Sequence, residues 1–263
     1  MCMYRCPKCH KELNRIANSY TCDNHHCYDI AKSGYVNLCL HQRKAQGDNK
    51  EMVQARSEFL QQAYYEPLRQ RLIALMKQYP SNCIIDAGCG QGYYTNEIAK
   101  AMPFSEVYGF DLSKFALKKA AGKVENTHYA LASIADLPLC DHCADIIISV
   151  FAPIYEKEFD RLLKTNGCFI KVAPGPKHLW ELKQLLYDTV YENELPKPLE
   201  CLKLIHEEAL RYEMNIEQPQ HIQALLMMTP YAYRTPKSAI QRLESIGKLH
   251  TTLDFYIQVW QKQ

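Results

Sequence analysis

This 263-residue sequence predicts an α/β fold, with a parallel sheet covered by helices on both faces and a small metal-binding module in front of it. Three observations lead there. Short apolar runs alternate with helical periodicity from Cys83 to Val190. A glycine-rich loop joins the first of these runs to a helix. Of the 12 cysteines, Cys2, Cys6, Cys9, Cys22, Cys27 and Cys39 all fall within the first forty residues.

Composition narrows the class. Hydrophobic residues make up 47% and charged residues 23%, an ordinary balance for a soluble globular chain. No apolar run approaches the roughly 18 residues of a membrane span. The opening MCMYRCPKCHKEL lacks the apolar segment of a secretory signal, so the expected compartment is the cytoplasm. Its reducing conditions make thiols and metal ligands the expectation, rather than disulfides. The net charge is only +2, but residues 1–50 hold 8 Lys/Arg against 4 Asp/Glu and the remainder 23 against 25. The basic excess therefore sits on the cysteine-rich module, where it suits either a phosphate backbone or an ordinary solvated surface.

Taken in order, residues 1–40 read as the metal module, with short strands around Tyr4–Arg5, Ser19–Thr21 and Tyr35–Leu38. Residues 41–80 read as a polar stretch followed by two helices. Asp48 stands at the N-cap of the first, with Glu51 at capping-box spacing and Met52, Val53, Phe59 and Leu60 on its apolar face. Pro67 opens the second, which runs through Arg69–Tyr79. Residues 81–263 form the α/β domain. Strands are expected at Cys83–Asp86, Glu106–Leu112, Thr127–Ala132, Ala144–Phe151 and Cys168–Val172, with Ala144–Phe151 central. Helices are expected at Tyr94–Met102, Ser113–Ala121, Glu156–Leu163 and Lys177–Val190. Pro236–Ile246 reads as a helix capped by Thr235, and Thr251–Val259 as an edge strand, which suits an antiparallel addition to the sheet.

The metal module carries Cys6-Pro-Lys-Cys9, then Cys22 and His26, in the pattern C-x2-C-x12-C-x3-H. Two close pairs across a hairpin place four ligands tetrahedrally, and thiolates with imidazole select zinc. Four protein ligands leave no open position, so the metal is structural. His25 and Cys27 flank His26 as alternatives for the fourth ligand; the three-residue gap and Tyr28-Asp29 beyond favour His26. Cys140 and Cys143 share the CxxC spacing but have no partner pair and read as a loop.

The loop Asp86-Ala-Gly88-Cys-Gly90-Gln91-Gly92 follows a strand and opens a helix. Its G-x-G-x-G spacing differs from the G-x-G-x-x-G of NAD binders. Asp86 ends the strand before it, and Asp111 ends the next strand, where an acid accepts ribose hydroxyls. S-adenosylmethionine has a ribose, no pyrophosphate and an ammonium, which this set suits. The signature closely resembles that of the Rossmann-like class I methyltransferases. Many of these carry an acid just after the third strand; here Ser133 stands there and Asp136 is displaced by three positions, so the backbone of Ser133 or Ile134 is the expected adenine-side contact.

Further strings narrow the resemblance. Gly34-Tyr35-Val-Asn37-Leu38, Gly47-Asp48-Asn49, Gly90-Gln-Gly92-Tyr93-Tyr94-Thr95, Phe151-Ala152-Pro153, Pro174-Gly175-Pro176-Lys177-His178-Leu179 and Met228-Thr229-Pro230 resemble the 23S rRNA (guanine-N1)-methyltransferases. The resemblance runs from Cys6 to about Trp260. It implies a zinc-bearing RNA-recognition domain, a homodimer, and as substrate one guanine in a domain II hairpin of 23S rRNA. It adds Tyr65 and His178 as cofactor contacts beside Gly90 and Gln91. Methyl transfer to guanine N1 calls for a base or an enolate-stabilising donor, and no residue identifies itself as that group. Phe151 or Tyr155 is placed to stack on a base that has left its stack. The rival readings are a methyltransferase for another RNA, a protein or a small molecule, a zinc-bearing RNA binder without catalysis, and, least favoured by the glycine spacing, an NAD-dependent enzyme. Loss of the first forty residues is expected to remove RNA methylation and to leave some cofactor binding.

Overall fold

A computed structural model describes residues 4–40, 47–233 and 235–263. Cys2 and residues 41–46 of the expected polar stretch lie outside the described residues. The chain begins with β1 (Asn14–Ile16), β2 (Ser19–Thr21) and β3 (Cys27–Asp29), an antiparallel three-stranded sheet. Tyr4 and Arg5 form isolated bridges to Leu139 and Glu12 rather than the expected strand. β4 (Tyr35–Asn37) joins the large sheet instead, while Val36 bridges back to Ile30 just after β3.

Two helices follow, α1 (Lys50–Leu60) and α2 (Glu66–Met76). The cap of α1 is Asn49, whose side chain accepts from the Met52 amide at 2.8 Å, and not Asp48. Asp48 is engaged elsewhere, by Arg56 at 2.9 Å and, through its carbonyl, by the Ser113 hydroxyl at 2.6 Å. The α/β alternation then runs through β5 (Cys83–Ala87), α3 (Thr95–Ala101), β6 (Glu106–Asp111), α4 (Lys114–Ala120), β7 (Thr127–Leu131), β8 (Ala144–Val150), α5 (Glu156–Leu162), β9 (Leu163–Pro174) and α6 (Trp180–Leu186). Ser113 caps α4 as expected, accepting from the Ala116 amide at 3.2 Å.

Helix α6 is shorter than the expected Lys177–Val190. Leu179 stands before it in the left-handed region at φ 57, and Gly175–Lys177 are held as a loop by Asp254. The Gly175 amide donates to the Asp254 carbonyl at 2.7 Å and the Lys177 amide to its carboxylate at 2.9 Å. The chain closes with β10 (Lys203–Ile216), α7 (Pro219–Met227), a 3-10 turn at Pro230–Tyr233, α8 (Lys237–Glu244) and β11 (Leu249–Gln261). Pro236 itself occupies the cap position of α8, so Thr235 lies outside it; its hydroxyl meets that of Tyr187 at 3.3 Å.

The large sheet has the order β10-β11-β9-β8-β5-β6-β7-β4. From β9 to β4 every pairing is parallel, and β11 runs antiparallel to both β9 and β10. β11 is therefore an interior strand, and the expected edge position belongs to β10. Every residue of β5 is buried, as a strand covered on both faces requires. One face packs on α1, α2, α3, α6 and α7 through Phe59, Leu72, Ile98, Leu182 and Leu225. The other packs on α5 and on the N-terminal module through Phe159, Leu162, Tyr4, Leu13 and Tyr20. Tyr4 makes edge contacts with Tyr20, Tyr108 and Phe110 at centroid distances of 5.2, 5.5 and 6.2 Å. With β4 paired to β7, the module shares both the core and the sheet of the α/β domain.

Candidate active site and metal centre

The metal centre rests on two short turns. In the first, the His10 amide donates to the Cys6 carbonyl at 2.8 Å, with His10 left-handed at φ 59; in the second, the His25 amide donates to the Cys22 carbonyl at 2.8 Å, with His25 at φ 58. His25 is thus the turn residue and its side chain is exposed, which leaves His26 to face the cluster. The ligand atoms of Cys6, Cys9, Cys22 and His26 all lie within 4.8 Å of one another. Cys9 Sγ lies 3.6 Å from Cys22 Sγ, and His26 Nδ1 lies 3.4 and 3.5 Å from the sulfurs of Cys6 and Cys22. A tetrahedron with metal–sulfur bonds of about 2.3 Å has edges of about 3.8 Å, so the set fits zinc. Burial opposes ionisation of Cys6, but the Tyr28 hydroxyl and the backbone amides of Lys8 and Cys9 outweigh it and bring the thiol to about 6. The histidine whose ring nitrogen stands with the three sulfurs is His26, the one the spacing favours as fourth ligand.

The second site lies at the carboxyl ends of β5, β6 and β8. Gly88, Gly90 and Gly92 all have positive φ, at 90°, 53° and 75°. At Gly88 a Cβ would stand 2.5 Å from the Cβ of Ala152, whereas at Gly90 it would meet nothing within 4 Å. The loop thus presses one glycine against the β8 exit and leaves open space over the next, where a ligand can lie on the backbone. Asp111 fixes this geometry: its carboxylate accepts from the Gly90 amide at 2.9 Å and from the Ser113 amide at 2.7 Å. Tyr65, Asp86, Gly88, Gly90 and Gln91 line one cleft with Arg56, Leu60, Tyr93, Tyr94, Val150, Phe151 and Met228. The hydroxyls of Tyr93 and Tyr94 are buried in this cleft wall with no hydrogen-bond partner among the described residues. One carboxylate in the cleft, a second beside its glycine loop, the glycine cradle and the tyrosine hydroxyls fit the ammonium, the ribose and the polar tail of S-adenosylmethionine.

Three residues expected at the cofactor stand apart from this lining: Asp111, which reaches it only through the Gly90 amide, Ser133 and His178. The Ser133 hydroxyl accepts from the Ala135 amide at 3.3 Å, and Asp136 pairs with Arg5 of the metal module at 3.8 Å. His178 is buried behind Phe151, its ring 5.9 Å from that of Phe151 and 5.0 Å from that of Phe255. Its Nδ1 accepts from the Asp254 amide at 3.3 Å, and burial lowers its pKa to about 4, so it is a neutral ring that braces the aromatic wall. Arg56, also in this lining, is paired with Asp48. Tyr93, Tyr94 and Met228 were present only as strings of the family resemblance, and nothing local marks them as cleft residues.

Asp86 is 2% exposed and accepts from the Thr95 hydroxyl at 2.6 Å. Burial outweighs that bond and raises its pKa to about 7. A folded value above the unfolded one of about 3.9 means that the neutral carboxyl favours folding at low pH and that this contribution is lost as pH rises through about 7. Cofactor binding has the opposite sign, because an ammonium favours the ionised form. Calorimetry is therefore expected to show S-adenosylmethionine affinity rising several-fold between about pH 6 and 7.5, and Asp86→Asn flattening that rise. A flat profile in the unaltered protein would remove Asp86 from the ammonium's surroundings.

The fold and this cleft define a class I S-adenosylmethionine-dependent methyltransferase with an N-terminal zinc ribbon. Residues 4–46 match the zinc-ribbon family described as RlmA, N-terminal, and residues 80–233 match a methyltransferase domain family. The chain is 31% identical to YxjB of Bacillus subtilis (strain 168), a protein named for guanine-N1 methylation of 23S rRNA, over 99% of this chain and 97% of that one. It is 33% identical to the 23S rRNA (guanine(748)-N(1))-methyltransferase of Streptomyces fradiae over 69% of this chain and 67% of that one. Among solved structures, the YcgJ protein of Bacillus subtilis shares the fold at a TM-score of 0.51 and 17% identity, over 74% of this chain and 97% of that one. The chain belongs to the 23S rRNA (guanine-N1)-methyltransferase family.

Proposed function

We propose that this chain transfers the methyl group of S-adenosylmethionine to N1 of a single guanine in a domain II hairpin of 23S rRNA, acting in the cytoplasm as a homodimer. The observation that carries the acceptor side is Phe151. It follows β8 directly, lines the cofactor cleft, stands in the left-handed region at φ 58 and is 41% exposed. A large apolar ring held out at the mouth of a cleft is a platform for the face of an unstacked base. Tyr65 and Phe255 brace it from behind at centroid distances of 6.4 and 5.8 Å. No described helix is long and apolar enough to cross a membrane.

When bound, S-adenosylmethionine supplies an electrophilic methyl on a sulfonium. The chain's part is alignment. In this reading Asp111 and the glycine loop hold the ribose side, Asp86 favours the ammonium, and Phe151 fixes the plane of the guanine. Ser133 is kept as the residue next to the adenine through its backbone, and His178 acts on the cofactor through the Phe151 wall. Zinc holds the module that meets RNA beside the sheet edge, with the basic excess of the N-terminal residues facing the polyanion. The test is primer extension and mass spectrometry on 23S rRNA from a strain lacking the enzyme, incubated with the pure protein. One new methyl on N1 of one guanine is expected. Methylation of another base, of protein or of a small molecule alone would overturn the reading.

A further inference from the structure

A second concavity, of about 660 Å³, adjoins the cofactor cleft between α1–α2 and α3–α4. The two share Leu60, Gln91 and Tyr93 as a common wall. The groove is strongly basic. Arg69, Lys100, Lys118, Lys119 and Lys123 line it against Glu66 and Glu97, five cations to two acids. That local +3 exceeds the +2 of the whole chain, so the rest of the molecule is net acidic.

The pairing inside the groove leaves the excess uncompensated. Glu66 is engaged by Arg69, and Glu97 by Lys100 at 2.7 Å. Arg69 also lies over the Tyr93 ring at 4.6 Å, on the wall shared with the cleft. Among the described residues Lys119 meets only neutral groups, the Gln54 side chain at 2.9 Å and the Ser57 hydroxyl at 2.8 Å, and Ser57 in turn donates to Gln91. Lys118 and Lys123 are exposed and have no ion-pair partner among the described residues.

Four of the five cations are lysines on flexible stems, not the rigid arginine forks that clasp one anion at two points. Such a surface follows a line of phosphates better than it holds a single small anion. We propose that this groove carries the phosphate backbone of the RNA strand that bears the target guanine, so that the strand crosses the α3–α4 face while its base enters the cleft beyond Gln91 and Tyr93. This rests on the RNA-methyltransferase reading above. It assigns the catalytic domain its own share of RNA binding, separate from the zinc module.

The test is a Lys118→Glu/Lys123→Glu pair and, to remove charge without reversing it, Lys118→Gln/Lys123→Gln. Zinc content, melting temperature and S-adenosylmethionine affinity are expected to match the unaltered protein. Affinity for a 23S rRNA fragment is expected to fall at least tenfold in the charge-reversed protein and less in the neutral one. In the neutral variant the slope of log affinity against log salt should shrink by about 0.7 for each single-strand phosphate contact removed. If the unaltered protein methylates 23S rRNA and both variants bind RNA with its affinity and slope, the groove assignment fails alone. If the unaltered protein neither binds nor methylates rRNA, the substrate reading fails and takes the groove with it. A fall in S-adenosylmethionine affinity that accounts for the whole loss of activity would also overturn the assignment, because the lysines would then serve the cofactor.

Discussion

Replacing Cys22 with Ser is expected to strip zinc from the protein, lower its melting temperature sharply and abolish rRNA methylation. Cys22 is buried and its sulfur lies within bonding range of one metal with Cys9 and His26. Structural zinc contributes folding free energy outright, on the order of 10–16 kcal/mol of apparent binding energy in isolated zinc-finger peptides. The effect here is smaller than that scale, because Tyr4, Leu13 and Tyr20 also hold the module to the sheet through buried contacts. It should still far exceed the roughly 1 kcal/mol of an ordinary substitution. Elemental analysis is the first readout: one zinc per chain in the freshly purified protein and none in Cys22→Ser. A metal-free native protein would sink the assignment. Full occupancy in His26→Ala together with loss in His25→Ala would move the fourth ligand.

The same packing changes what a truncation can show. Separating residues 1–40 from the rest looked possible from charge and cysteine distribution alone. In the structure β4 closes the sheet beside β7, and Tyr108, Phe110, Leu137 and Leu139 share their core with the module. Deleting the module exposes that core and frees a sheet edge, so cofactor binding would suffer with it. A ligand substitution is the cleaner experiment, because it removes the metal and leaves the chain that covers the sheet.

What was legible in the sequence follows from how local each signal is. The metal ligands, the glycine loop, Asp86 and Asp111 announce themselves because their spacing is set by turns a few residues long. The strands β5 to β8 were legible because buried parallel strands need uninterrupted apolar runs. β10 was not: Lys203–Ile216 alternates, but Glu207, Arg211 and Glu213 dominate its outward side and Glu208 interrupts the other, where it pairs with Arg71, and it is strand only because β11 pairs with it along its length. Its charges then protect the exposed edge. The cleft wall was half hidden for a similar reason. Tyr93, Tyr94, Leu60 and Met228 come from α1, the glycine loop and the end of α7, segments that only tertiary packing brings to one place. His178 shows the converse, a residue singled out by resemblance that the fold holds one layer back, behind Phe151.

Asp111→Ala is expected to weaken S-adenosylmethionine binding by about 1.5–3 kcal/mol, roughly ten- to 150-fold, the scale of hydrogen bonds to a charged group. The carboxylate is half-buried at the end of β6, and desolvation raises its pKa against the Ser113 and Gly90 amides that favour its charged form. Each oxygen accepts one of those amides and keeps a further lone pair, so the group can hold the loop and accept ribose hydroxyls together. That double duty means the substitution could act by loosening the loop rather than by losing the ribose. Two measurements separate these. Ser113→Ala removes the α4 cap, costs about 1 kcal/mol of stability and should leave cofactor affinity near that of the unaltered protein. An analogue of the cofactor without ribose hydroxyls should bind the unaltered protein weakly and Asp111→Ala no more weakly still, so that the cycle closes on a direct contact. If the two losses add in full, Asp111 shapes the loop and the ribose is held elsewhere. If a folded Asp111→Ala binds S-adenosylmethionine unchanged, the acid at the end of β6 has no part in holding the cofactor.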